Sequence, residues 1–302
     1  MTRKTLKVLL LAALAFVTTA ACDFNTDKLK QAVGQKVEEK LTDYASQAID
    51  RLAQEAGLDI QAEADGKAAA AVEAPAGVEI PAPLTDRKEQ ILRRTAYTAS
   101  YNSDTRLPNW VAWQLTAEHT SGPHKRGGID FAEDEDVPEP RATDWDYYRS
   151  GYDRGHLCPS ADNKWSEAAQ RESFLFTNIC PQNHSLNAGD WNEMEQQCRR
   201  WADELGSIYI VSGPILYKGR HKTIGKNKVV VPEAFFKVVL CTEGEPKAIG
   251  FIYKNQPGNR PKGDYVNSVD EVERITGIDF FPALPDDVES RVEASADIAD
   301  WL

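Results

Sequence analysis

The sequence predicts an α+β fold in which a central antiparallel sheet is flanked by helices. Strand-like segments follow one another directly, as in "SIYIVSG", "KVVVPEAFFKVVLC" and "KAIGFIYKN", and helical segments are inserted between such runs. That order favours antiparallel pairing over a regular alternation of strand and helix. The chain of 302 residues is 41% hydrophobic and holds seven tryptophans, which is enough for a packed core.

The elements can be assigned in chain order over a globular domain predicted at residues 89–285. "AYTASYNSDTRLPNWVAWQLT" alternates like two strands joined by a polar turn at Asn102–Asp104. "KWSEAAQRESFLF" predicts a helix capped by Ser166. "AGDWNEMEQQCRRWADELG" predicts the strongest helix, capped by Asp190 and ended by Gly206. Residues 286–302 are expected to form an acidic, loosely held tail.

The N-terminal segment has the layout of an export signal. In "MTRKTLKVLLLAALAFVTTAAC", basic residues precede a short apolar run and then small residues. Residues 1–21 are therefore predicted to be a signal peptide. Cys22 would be lipidated if the protein is a bacterial lipoprotein of the cell envelope, which would hold it on the membrane. Secretion without an anchor and an uncleaved anchor are the alternatives.

Two further segments separate this signal from the domain. Residues 22–57 carry one apolar stripe of helical period and predict an amphipathic helix. Residues 58–88, rich in Ala, Pro and Glu, are typical of a linker. The formal net charge of −12 lies mostly in these appendages, with −5 in residues 22–88 and −5 in residues 286–302. The acidity therefore does not exclude an anionic partner of the domain.

The remaining cysteines allow two interpretations. An even number of cysteines in an exported chain favours disulfides, with three possible pairings, and we expect one of them to stiffen the turn at Cys158. The alternative is a structural zinc site, because Cys-x3-His and His-x-Cys spacings loosely match zinc ligands. The cysteines are Cys158, Cys180, Cys198 and Cys241, and the zinc site would draw on His156, Cys158, Cys180, His184 or Cys198.

Two segments together carry the residues of a phosphodiesterase. "YDRGH" supplies Arg154 and His156, and "TNICPQNHSLNAGDWNEMEQQCRR" supplies Asn187 before a helix on which Glu195 and Arg199 share one edge. Histidine can deprotonate water near neutral pH, hard oxygen ligands suit Mg²⁺, and arginines meet charge on phosphorus. Taken singly, each residue is more often structural, so the hypothesis depends on the combination.

The same segments resemble the DNA/RNA non-specific endonuclease family. The shared pattern is Asp-Arg-Gly-His, then Thr-Asn-x-x-Pro-Gln, then Leu-Asn followed by Trp and Glu at fixed spacing, and similarity extends over about residues 97–255. The resemblance implies a ββα-metal (His-Me finger) nuclease that cleaves DNA and RNA without strong sequence preference and leaves 5′-phosphates. It implies Mg²⁺, with Mn²⁺ as a possible substitute. An inactive binding module on this fold is the competing hypothesis, and a homodimer or an inhibitor partner stays open.

The resemblance also assigns a role to each matching position. His156 matches the general base, Asn187 the direct metal ligand and Glu195 the acid that orients the metal's waters. Arg154 and Arg199 match arginines around the scissile phosphate. Asn178 matches a motif asparagine that holds the histidine, and Gln182 matches a motif glutamine near the substrate. Arg126 is a weaker match, because its spacing to Phe131 departs from the family's pattern of an arginine before an aromatic-x-x-Asp stretch.

Overall fold

The computed structural model describes residues 74–217 and 219–301, which belong to one unit, Ala68–Leu302. The amphipathic helix and the signal predicted at the N-terminus lie outside the described residues. The strands are β1 (Gln90–Arg93), β2 (Thr98–Asn102), β3 (Leu107–Thr116), β4 (Asp153–His156), β5 (Ile179–Gln182), β6 (Ser207–Ile215), β7 (Thr223–Ile224), β8 (Val229–Val230), β9 (Ala234–Cys241), β10 (Lys247–Lys254) and β11 (Val266–Asn267).

Helices lie between these strands and after the last of them. They are α1 (Ala117–Thr120), α2 (Asp144–Tyr147), α3 (Glu167–Glu172), α4 (His184–Leu186), α5 (Asn192–Leu205), α6 (Val269–Thr276) and α7 (Asp286–Glu293). A π-helical turn, Asn187–Trp191, joins α4 to α5. As predicted, the Ser166 hydroxyl caps α3 by accepting a hydrogen bond from the Ala169 amide, and Gly206 ends α5 at φ 88°.

Seven strands form one antiparallel sheet in the order β1-β2-β3-β6-β9-β10-β11. Successive residues of a strand face opposite sides, so the apolar strands β3, β6 and β9 supply a core on each face. One core packs against α5 through Met194, Cys198 and Trp201. The opposite core packs against α6 and α7. The predicted α+β fold with a flanked antiparallel sheet is confirmed.

Both ends of the predicted domain need correction. The last part of the predicted linker packs on the domain, because Val78 is fully buried and the Ala82 amide donates to the Asp279 carbonyl at 2.9 Å. The C-terminal segment is not loosely held. Val288 and Val292 of α7 are buried, and the Trp201 indole donates to the Trp301 carbonyl at 2.6 Å. Most acidic residues of this segment are exposed, Glu293 being the buried exception, and its apolar residues pack against the sheet.

Within the described part of the chain, no helix combines the length and the apolar character needed to cross a membrane.

Candidate active site

The site is built on a two-stranded hairpin that is separate from the main sheet. Strand β4 pairs with β5 so that His156 lies opposite Ile179 and Asp153 opposite Gln182. Alternation along β4 places Arg154 and His156 on one face. Gly155 lies between them because a Cβ there would overlap the Gln182 side chain.

Gln182 fills the space behind this hairpin. Its side chain is almost fully buried, and neither its amide oxygen nor its nitrogen has a hydrogen-bond partner among the described residues. Direct contact of this amide with a phosphate, as the sequence predicted, would need the hairpin to open. Its position indicates support of β4.

His156 lies in an aromatic enclosure. The ring centroids of Phe131 and Phe174 are 5.3 and 5.0 Å from that of the imidazole, and Phe174 meets it edge-on. Burial, and secondly the nearby charge of Arg126, lower the pKa of His156 to about 3. Because Nε2 is enclosed and has no hydrogen-bond partner among the described residues, Nδ1 is the nitrogen open to solvent. The imidazole is therefore neutral at physiological pH and can accept a proton.

Arg126, despite its irregular register in the sequence, belongs to this enclosure. Its guanidinium carbon lies 5.7 Å from the centroid of Phe174, the ring that also contacts His156. The residue is exposed, so its charge can meet an anion at the mouth of the site. Phe131 and Phe174 were not predicted, because aromatic residues in loops carry no signal of which side chain they will enclose.

Asn178 holds the turn that follows the histidine. Its Oδ1 accepts from the Cys158 amide at 2.9 Å, and its Nδ2 donates to the carbonyls of Cys158 and Ser173 at 2.9 and 2.8 Å. The hydrogen bonds described for this amide reach backbone and not the imidazole. We therefore describe it as a positioning residue.

The predicted disulfides do not form. The four cysteines of the described residues, Cys158, Cys180, Cys198 and Cys241, are free thiols and are buried. Cys158 packs in the core and accepts a hydrogen bond from the Asn163 amide at 3.4 Å. Burial raises the pKa of Cys198 to about 12. The turn at Cys158 is held by Asn178 and not by a disulfide, since the thiols pack as small apolar side chains.

Asn187 is oriented by an acid of the hairpin. Its Nδ2 donates to Oδ2 of Asp153 at 2.9 Å, and the same oxygen lies 2.9 Å from Nδ1 of His184. Because the amide nitrogen is held by a carboxylate, the amide oxygen of Asn187 is directed away from Asp153 and is free to bind a cation. The half-buried π-helical turn presents this oxygen at the end of α4.

Glu195 and Arg199 belong to a largely buried charged group. Nη1 of Arg199 pairs with Asp162 at 2.9 Å, and Asp162 is only 1% exposed. Lys237 of β9 is also 1% exposed and lies 5.0 Å from the Trp113 ring and 4.6 Å from the Trp191 ring. Burial raises the pKa of Glu195 to about 7, while Lys237 lowers it. Two acids and two bases thus offset one another under the edge of α5.

Trp191 connects this helix to the hairpin. Its indole nitrogen donates to the His156 carbonyl at 3.2 Å, which ties the start of α5 to the backbone of the histidine. The predicted capping by Asp190 is wrong, since α5 continues directly from the π-helical turn. The Asp190 carboxylate instead accepts from the Tyr265 hydroxyl and from the Asn259 amide. It fastens the loop after β10 beside the site.

Arg154 lies on the same face of β4 as the histidine, and an ion pair and two aromatic rings fix its position. Its Nε pairs with Asp144 at 2.7 Å, and its guanidinium carbon lies 5.7 Å from the rings of Phe131 and Tyr147. One quarter of the side chain is exposed. Phe131 therefore contacts both Arg154 and His156. The two side chains predicted to act on one phosphate thus pack against the same aromatic ring.

The donor set suits a hard divalent cation and not structural zinc. Among the described residues, one group of three His, Cys, Asp or Glu side chains is close enough together to bind a metal ion, and it is an acidic cluster elsewhere. It contains none of the predicted zinc ligands, which were His156, Cys158, Cys180, His184 and Cys198. The zinc hypothesis is therefore wrong. The amide oxygen of Asn187 and the carboxylate of Glu195 are hard oxygen ligands of the kind that such cations prefer, and the neutral His156 is a base.

The fold and this site define a ββα-metal nuclease, the class in which two strands and a helix carry the histidine, the asparagine and the acid around a divalent metal ion. Residues 75–287 match the family described as DNA/RNA non-specific endonuclease. This chain belongs to the DNA/RNA non-specific endonuclease family.

Known relatives agree with that assignment. The mitochondrial nuclease EXOG of Danio rerio is 36% identical over 63% of this chain and 60% of its own length. Mitochondrial endonuclease G of Homo sapiens is 32% identical over 65% of this chain and 70% of its own length. The chain thus spans less than two thirds of the EXOG relative. The EndoG chain of a crystal structure of an EndoG/EndoGI complex superposes with a TM-score of 0.62, at 28% identity, over 65% of this chain and 87% of that one.

Proposed function

We propose that this protein is a Mg²⁺-dependent endonuclease that hydrolyses phosphodiester bonds of DNA and RNA, with Mn²⁺ as a possible substitute. The observation that carries the proposal is the hydrogen bond from Asn187 to Asp153, which leaves the amide oxygen for a cation, while Asp153 shares its strand with the neutral His156. Family membership adds the reaction class.

The residues divide the work. A divalent ion held by Asn187, with its waters oriented by Glu195, would supply positive charge to the phosphate and its leaving oxygen. His156 would take a proton from the attacking water at Nδ1. Arg154 and Arg126 reach the substrate from the two sides of the aromatic enclosure, and Arg199 holds the charged group under α5. A bound phosphate would raise the low pKa of His156 and make it a stronger base as the reaction begins.

Incubation with plasmid DNA and with RNA tests the proposal most directly. In Mg²⁺ we expect nicked and then linear DNA, degraded RNA and 5′-phosphate ends. In EDTA both substrates should stay intact. A protein that binds both nucleic acids in Mg²⁺ and cleaves neither would instead be a binding module on the nuclease fold.

Metal binding should depend on pH through Glu195. Burial raises the pKa of this carboxyl to about 7, so below pH 7 it holds a proton that must leave when the ion's waters are bound. We therefore expect the affinity for Mn²⁺, measured by electron paramagnetic resonance, to rise up to about tenfold per pH unit as pH increases towards 7, and to level off above it.

Two variants check the assignment to this carboxyl. Glu195→Gln removes the titrating group and should flatten the dependence. Glu193→Gln, a change at an exposed acid on the same helix, should retain it. An unchanged slope in Glu195→Gln would assign the proton to another residue.

Exposed aromatic residues next to Arg154 suit single-stranded nucleic acid. Trp145 of α2 is 79% exposed and Tyr148 is 53% exposed, and their rings meet edge-to-face at 5.5 Å. Arg149 lies 5.1 Å from the Tyr148 ring, and Asp144 beside them pairs with Arg154. Stacking of a base on an aromatic residue contributes about 1–3 kcal/mol.

Trp145→Ala is therefore expected to raise KM for single-stranded DNA about 5- to 150-fold and to change kcat by less than about twofold. The effect should be smaller on duplex DNA, whose bases are stacked on one another. Trp165→Ala serves as the control, because the ring of Trp165 already stacks on His119 at 5.0 Å. Equal losses on both substrates, or a loss in kcat alone, would contradict a stacking role.

We further propose that the protein acts outside the cytoplasm, anchored through a lipid on Cys22. The proposal depends on the N-terminal sequence pattern, with simple secretion as the alternative. Growth with radiolabelled palmitate should label the wild-type protein and not Cys22→Ser. The EndoG of the crystal structure is described in complex with the inhibitor EndoGI. Pull-down experiments with this chain as bait would test whether it also binds an inhibitor protein.

A further inference from the structure

An acidic cluster lies on the face of the sheet opposite the nuclease site. Asp270 and Glu273 stand on α6 and Glu293 stands on α7, and one oxygen from each lies within 4.8 Å of the other two. Both helices belong to the core on the far side from α5. The cluster therefore shares no residue with the proposed catalytic site.

Cationic side chains near the cluster are engaged elsewhere. Arg274 pairs with Glu271 at 2.6 Å, and Arg291 lies 3.5 Å from Glu245. Asp279 and Glu289 add further negative charge around Glu293. Among the described residues, no lysine or arginine forms an ion pair with any of the three clustered carboxylates.

Glu293 makes the cluster more than a group of surface acids. The residue is 5% exposed, and its Oε1 is enclosed without a hydrogen-bond partner in the described part of the protein. Glu273 is half-buried and uses one oxygen to accept from the Phe280 amide at 2.7 Å, which fixes its carboxylate. A buried, unpartnered carboxylate facing two others is costly unless something of opposite charge joins them.

We propose that Asp270, Glu273 and Glu293 bind one Ca²⁺ that clamps α7 to α6. Calcium takes six to eight oxygen ligands at about 2.4 Å, and two ligands on opposite sides of it are then about 4.8 Å apart. The three carboxylate oxygens lie within that distance of one another, so one ion can contact all three. Carboxylates with added waters suit Ca²⁺, whose flexible coordination tolerates them better than the strict octahedron of Mg²⁺ does. The clamp is independent of the proposed nuclease activity.

Shared protons are the alternative means of relieving the repulsion. Burial first, and then the neighbouring carboxylates, raise the pKa of Glu293 to about 9, and burial raises the pKa of Glu273 to about 7. A folded-state pKa above the unfolded value means that, without an ion, stability is lost as pH rises through these values. Only the clamp predicts that Ca²⁺ stabilises the protein at pH 8, whereas shared protons predict no response to Ca²⁺.

The test is thermal unfolding of the full chain at pH 8 and constant ionic strength, with Ca²⁺ or with chelator. Ca²⁺ at about a hundred times its Kd should raise the Tm of the wild type by about 5 °C. Glu293→Gln keeps the shape and removes the charge, so it should lose most of that shift while melting no lower than the wild type in chelator. Asp287→Asn, an exposed acid on the same helix outside the cluster, should keep the full shift.

Each other outcome overturns the clamp. Equal shifts in wild type and Glu293→Gln would place the ion elsewhere. No shift in either, with a wild-type Tm that rises between pH 8 and pH 6, would assign the cluster to shared protons. Plasmid cleavage by Glu293→Gln in Mg²⁺ should equal that of the wild type, so failure of the clamp and failure of the nuclease proposal are separately visible.

Discussion

His156→Ala is expected to lower kcat about 10²- to 10⁴-fold on plasmid DNA, because alanine has no group that can take a proton from water. In the free protein the imidazole is neutral at physiological pH, since burial and Arg126 lower its pKa to about 3. Initial rates at saturating Mg²⁺ measure the effect.

The matched control is His119→Ala. His119 lies on α1, stacks on Trp165 and donates one hydrogen bond from Nδ1 to the Gln114 carbonyl at 3.1 Å. Its replacement should leave kcat within about twofold of the wild type. Circular dichroism and Mn²⁺ binding should show that His156→Ala is folded and still binds metal. Retention of more than a tenth of the wild-type kcat would remove His156 from the role of general base.

Asn187→Ala is expected to weaken metal binding by more than about 100-fold. Loss of a residue that only orients a metal ligand typically weakens affinity about 10- to 100-fold, and this variant removes the proposed ligand itself. The variant removes the amide oxygen that Asp153 orients and also leaves the Asp153 carboxylate without its amide donor. The Mg²⁺ concentration for half-maximal activity should rise accordingly, and calorimetric titration with Mn²⁺ measures the affinity without substrate.

Asn192→Ala provides the comparison for that experiment. It changes the same type of side chain on the first turn of α5, where the amide makes no hydrogen bond with the described residues. Its metal affinity should equal that of the wild type. If both variants bind Mn²⁺ normally, the amide of Asn187 is not a metal ligand and only its link to Asp153 is of consequence.

The charged group under α5 explains why Glu195 differs from an ordinary surface acid. An i, i+4 pair of Glu and Arg on a helix usually lies in water and contributes little. Here the arginine pairs with the buried Asp162, while the buried Lys237 approaches from the sheet between two indole rings. Burial removes water from the Glu195 carboxylate and raises its pKa, while the nearby positive charges lower it. The balance leaves the pKa at about 7, so binding of a metal ion can displace the proton.

The sequence by itself determined what depends on near neighbours. Strands β2 and β3 with their turn, the cap at Ser166 and the end of α5 at Gly206 follow from local propensity and hydrogen bonding, and all three are observed. The order of motif residues also singled out His156, Asn187 and Glu195 as candidate site residues, through the resemblance to the nuclease family.

Only the tertiary structure decided the partners that come from far along the chain. Packing places Phe131 and Phe174 around the histidine, and residue order does not reveal this. Packing likewise brings Asp162 to Arg199 and Lys237 of β9 to the Trp191 ring. For the same reason Asp190 holds Tyr265 instead of capping α5, and the four buried cysteines stay free. Burial and distance set the charge state of a site, and both arise when segments remote in the sequence pack against one another.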